Sequence, residues 1–201
     1  MNQQNLFLLF LSLNYSCISQ TKDDSQVDMN IFSSNQLGWT MPVPKHWEIV
    51  QRENLEVQAN KGLKMIDTSN SDKFKEDLLK TVYLLSFKKD KRKMFTALAT
   101  PNDTTIVSFE MQNRNSKNAL FYSLKKQGIR VDSTWGKEYI QSKAFTTFTI
   151  TAYDKSNNPF VNQIYYNRQI DNYMFSVIIM YDDTETKDLL MDYWKKSKFE
   201  R

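Results

Sequence analysis

Residues 144–181 read AFTTFTITAYDKSNNPFVNQIYYNRQIDNYMFSVIIMY. In the first part, Phe148, Ile150 and Ala152 alternate with Thr147, Thr149 and Thr151. That two-residue period predicts a half-buried strand with a threonine outer face. Asn157-Asn158-Pro159 breaks the strand, and Phe160 to Arg168 resumes the alternation. Asp171-Asn172 turns the chain again into Tyr173 to Tyr181, which is apolar on both faces and therefore belongs inside a sheet. Three consecutive strands joined by short turns predict an antiparallel meander.

The flanking segments supply helices and further strands. Downstream, Asp183 or Thr184 caps a helix on which Leu189, Leu190, Tyr193 and Trp194 form one apolar stripe. Asp192 and Lys196 make an acid-before-base pair on its outer side, and Phe199 tucks in after its end. Upstream, Ser116 to Gln127 reads as a helix capped by Asn115 or Ser116. Gly128 terminates it, with Ile129 placed to contact Leu124. Thr81 to Phe87 is an interior strand, Lys88 to Lys93 a polar hairpin tip, and Met94 to Thr100 the returning strand, stopped by Pro101-Asn102-Asp103. Arg52 to Ala59 reads as a first helix and Thr68 to Asp72 as a polar break. Gly38 to Pro44 is a short strand ending on proline, which has no amide for a ladder. The class is α+β, an antiparallel sheet flanked by helices.

The 201 residues carry a net charge of +4, with 40% apolar and 25% charged residues. This is the composition of one globular domain, neither collagenous nor disordered. One cysteine excludes an intrachain disulfide framework, and one histidine excludes a multi-histidine metal site.

Leu6 to Leu13 (LFLLFLSL) is an apolar run of about eight, against roughly 20 needed to span a bilayer. It suits the core of a secretory signal peptide followed by a polar stretch, with signal 1–19, tether 20–36 and folded domain 37–201. Two processing sites fit. Leu13-Asn14-Tyr15-Ser16-Cys17 resembles a lipobox with Cys17 as the lipidated residue (signal 1–16), departing from the pattern at Asn14 and Tyr15. A cut after Ser19 would leave Gln20 at the N-terminus. Either product is exported, to a bacterial cell envelope by a lipid anchor or to the outside.

Gly38 to Pro44 with Trp47-Glu48-Ile49, the meander Phe145 to Tyr181, and the close Trp194 to Phe199 together resemble PsbP-like domains. Leu84 to Phe87, Phe95, Gly128-Ile129 and Ser197 to Phe199 match bacterial exported proteins and lipoproteins of that shape. The resemblance implies an α/β/α sandwich over about Leu37 to Arg201 and supplies no catalytic residue. The family's manganese and calcium association does not carry over, because no matching ligand cluster is present.

The residues themselves offer no reaction centre. His46 lies in a turn without a paired nucleophile. Asp182, Asp183, Glu185 and Asp188 are read as helix-start acids rather than a calcium loop. Gly38, Gly62, Gly128 and Gly136 are isolated, so no loop cradles a phosphate. Five cations between Lys88 and Lys93 lack interleaved aromatics, which argues against nucleic acid. The expectation is a non-catalytic envelope accessory or scaffold that binds another protein, without catalytic residue, metal or cofactor. His46, Trp47, Tyr165, Tyr166 and Tyr173 are its candidate interaction surface. The alternatives are a carrier whose nine methionines line an apolar pocket, and then a hydrolase.

Overall fold

The computed structural model describes residues 31–63, 79–102, 104 and 108–200. The leader with Cys17, tether residues 20–30, Asp103 and the polar break Thr68 to Asp72 lie outside them.

Two antiparallel sheets organise the chain. The larger is built from β3 (Glu48–Ile49), β4 (Val82–Lys88), β5 (Met94–Pro101), β6 (Arg130–Ile140), β7 (Lys143–Tyr153), β8 (Pro159–Ile170) and β9 (Tyr173–Tyr181). Its order is β3-β4-β5-β9-β8-β7-β6, which puts the doubly apolar β9 in the middle, as its composition requires. The smaller sheet, order β1-β2-β10, joins β1 (Ile31–Ser34), β2 (Trp39–Pro42) and β10 (Lys198–Phe199). Sequence alone places Gly38 to Pro44 in a strand but does not separate it into a second sheet. β1 pairs with β2, and the Phe32 ring lies 5.2 Å from that of Trp39. The folded unit includes Ile31 to Ser34, within the segment expected to be tether.

Three helices are described: α1 (Arg52–Leu63), α2 (Phe109–Lys126) and α3 (Thr184–Lys195). Asp183 caps α3, accepting from the Thr186 amide at 2.7 Å. Gly128, at φ +76°, closes α2 with its own amide on Lys125 O at 2.9 Å and the Ile129 amide on Leu124 O at 3.1 Å. This is the double bond of a Schellman ending. The start of α2 differs from expectation. Ser108, not Asn115 or Ser116, is the cap, accepting from the Met111 amide at 3.3 Å. Polar Phe109 to Asn115, rich in helix-weak asparagine, hid the first turns.

Side chains on opposite faces of the large sheet build two cores. On one face, α3 and the small sheet cover Phe87, Phe95, Phe145, Tyr166, Phe175 and Val177. Trp194 sits among them, 5.4 Å from Phe145 and 5.0 Å separates Trp39 from Phe175. Phe199 packs on Phe145 and Phe175, as expected of a residue closing the fold. On the other face Leu120, Phe121 and Leu124 of α2 cover Phe148, Ile150, Ala152 and Val161. The predicted stripe of α3 is narrower than its sequence: Leu190 and Trp194 are fully buried while Leu189 is 40% exposed. The threonine face of β7 is likewise partly enclosed. Thr147 is buried, Thr149 bonds Thr134 at 2.6 Å, and Thr151 donates to Asn162 at 2.8 Å.

Candidate interaction surface

The sequence-derived surface residues do not gather in one place. Lys45 and His46 are exposed in the turn after β2. Trp47 is half-buried, its ring edge-on to Phe87 at 5.7 Å, so it closes the core rather than offering a free face. Tyr165 and Tyr166 correct the expectation most clearly. Adjacent strand residues face opposite ways, and both faces of β8 are covered. Tyr165 stacks on Phe148 at 4.3 Å and donates to Gln163 Oε1 at 2.7 Å; burial pushes its phenol well up. Tyr166 is fully buried and donates to Glu138 Oε2 at 2.9 Å; burial first, then Glu138, raises its phenol too. Tyr173 starts β9 half-buried against the main core. No tyrosine patch forms at this turn.

The basic run at the β4–β5 tip is largely consumed internally. Lys88 is buried and pairs with Glu48 at 3.1 Å. Arg92 reaches Asp182 at 3.3 Å, and Lys93 reaches Asp183 at 2.5 Å, tying the tip to the start of α3. The Lys93 ammonium and the Thr186 amide hold the Asp183 carboxyl far below the usual carboxylate range. Asp183 is therefore engaged as a cap and counter-ion. Among the described residues, no three His, Cys, Asp or Glu side chains group as metal ligands.

The exposed aromatic side chains that do gather lie on β6, a strand with no counterpart among the sequence-derived elements. Trp135 is 46% and Tyr139 64% exposed. With Lys137 between them, they share one face of the strand. The Lys117 ammonium of α2 lies 5.1 Å from the Trp135 ring, and that of Lys137 lies 5.6 Å from Tyr139. Phe148 supports Trp135 from below at 5.5 Å. On the opposite face the charges are already engaged: Arg130 lies 3.7 Å from Asp132, and Glu138 accepts from Tyr166. Gly136 allows close approach to β7, since a Cβ there would meet Thr147 Oγ1 at 2.8 Å. Only Val131 and Ile140 of this strand are buried, so it lacks the alternating apolar signal. The cue available in sequence was Trp135 and Tyr139 at a four-residue spacing.

No protein-family model matches the sequence, and no curated protein matches it. Among solved structures, the chain is similar to the solution structure of cyanobacterial PsbP (CyanoP) from Synechocystis sp. PCC 6803. The TM-score is 0.53 with 6% sequence identity, covering 90% of this chain and 98% of that one. At that identity the likeness concerns architecture alone, and it agrees with the antiparallel sheets and flanking helices described above. The chain has a PsbP-like α+β fold.

Proposed function

We propose that this chain is a non-catalytic, exported accessory domain that binds another protein of the bacterial cell envelope. The observation that carries the reading is β6, which displays Trp135 and Tyr139 with two lysines at the sheet margin. Partly exposed tryptophan and tyrosine supply large, stiff contact area, which is why they are enriched at protein interfaces. The likeness in fold to PsbP and the apolar leader Leu6 to Leu13 agree with an accessory role outside the cytoplasm. No described helix is long and apolar enough to cross a membrane. In this reading a membrane attachment is a lipid on Cys17, and the alternative product is secreted from Gln20 onward.

A photo-reactive side chain at position 139, in the exported chain of its own host, tests the binding role. The expected result is one discrete envelope adduct at position 139 and none at position 189 on α3. The absence of any adduct at positions 135 and 139, or the same adducts at every position, overturns it. Intact mass checks the address: diacylglyceryl on Cys17 or a chain starting at Gln20 supports export, and a retained Met1 contradicts it.

A further inference from the structure

The two margins of the large sheet are unlike. At one end β3 pairs with Phe87 and Lys88 of β4 alone, the Val50 amide bonds Ser86 O, and the remaining margin, Val82 to Leu85, is short and broken by a bulge between Tyr83 and Leu85. At the other end β6 runs for eleven residues and has β7 as its one described neighbour. Each of those eleven residues pairs with β7 in unbroken register from Arg130↔Tyr153 to Ile140↔Lys143. The strand contains neither a bulge nor proline, two of the usual devices that blunt an edge. Its charges do little to guard it. Arg130 and Asp132 face each other and Glu138 is held by Tyr166. Lys137 leans over the ring of Tyr139. The outward backbone groups of β6 therefore form a regular row.

The side chains above that row have a readable preference. On the face carrying Trp135, Lys137 and Tyr139, neither the Lys137 nor the Lys117 ammonium is ion-paired among the described residues. That face is positive and aromatic, and its complement is negative and apolar. A strand added to the edge would place alternate residues opposite Trp135, Lys137 and Tyr139, with Cβ atoms roughly 4.5–5.5 Å across. From this we infer that β6 accepts an extended segment of a partner protein by strand addition, with the pattern apolar-x-acidic-x-apolar. The acidic side chain lies opposite Lys137, and the two apolar ones lie opposite Trp135 and Tyr139. Main-chain hydrogen bonds provide the attachment and the carboxylate provides selection. The inference rests on the protein-binding reading above and supplies that site with its ligand class.

The probe is a blocked peptide, Thr-Ser-Val-Thr-Glu-Thr-Val-Ser-Thr, titrated into the mature protein while its tryptophan fluorescence and amide exchange are followed. Saturable binding is expected, weakened by salt, with new protection confined to β6. A peptide carrying Lys in place of the central Glu should bind about tenfold more weakly. Lys137→Glu should reverse that preference while leaving the thermal unfolding curve in place. Absence of saturable binding, an unchanged preference in Lys137→Glu, protection appearing elsewhere, or a dimer that buries β6 would each overturn the inference. Peptide failure with a persisting adduct at position 139 removes strand addition and leaves the protein-binding reading standing. Loss of both removes both.

Discussion

Ser197 is fully buried just beyond α3, and its Oγ has no hydrogen-bond partner among the described residues. An unpaired buried hydroxyl costs roughly 1–3 kcal/mol in lost hydration, so removing it is favourable when the shape is kept. Ser197→Ala should stabilise the protein by about 1 kcal/mol, read as a higher urea midpoint; a lower midpoint would contradict this. Asp183 makes the opposite kind of contribution. Its carboxyl titrates far lower in the folded chain than in the unfolded one, because Lys93 and the Thr186 amide bind the charged form. The stability it provides is present above the unfolded value of about 4 and is lost as the pH falls further. Urea midpoints at pH 7 and pH 3 should therefore fall further for the parent than for Asp183→Asn, which keeps a capping oxygen but loses the charge. Parallel curves would refute that assignment. Residues with a local job were legible in the sequence: Gly128 as a left-handed stop and Asp183 as a cap follow from chain geometry a few residues long. Tyr165 and Tyr166 were not. Their surroundings come from Phe148 and Glu138, residues distant in sequence, and a tyrosine reads alike whether exposed or enclosed.

The helix α3 shows how an element acts as a unit. Trp194 lies within 6.4 Å of six other aromatic rings, from Trp39, Phe95, Phe145, Tyr166, Phe175 and Phe199. Trp194→Ala should cost about 3–5 kcal/mol, since no neighbour on a sheet this well paired collapses to refill the space. Leu189→Ala, on the exposed side, should change stability by no more than about 0.5 kcal/mol. Chemical denaturation of both variants checks the pair, and similar losses would mean that Leu189 belongs to the buried stripe. The apolar stripe read from sequence joins Leu189 to Leu190, while packing against β9 and β2 divides them. Elements buried on one or both faces announce themselves, β7, β8 and α3 by periodicity and β4, β5 and β9 by apolar runs between turns. β6 and the first turns of α2 do not. A strand exposed along most of its length has no apolar rhythm to display, and Phe109 to Asn115 form helix under the control of the Ser108 cap and buried Asn113.

On the scale of the molecule, the antiparallel order and the layering of helices on both faces follow from patterns visible in the chain. The second sheet and the identity of the open edge do not, because they depend on which strands meet across long separations in sequence. The same order makes the interaction reading testable without any partner in hand. Amides of central strands should open only with global unfolding, whereas an edge strand bonded on one side leaves alternate amides facing water. Native-state hydrogen exchange, resolved residue by residue, measures this directly. The account predicts slow exchange throughout β5, β8 and β9, and alternation along β6, where every second amide exchanges orders of magnitude faster than its neighbours. Uniform protection along Arg130–Ile140, matching that of β8, would show that the edge is already covered, and would contradict the claim that β6 is the open surface of this protein.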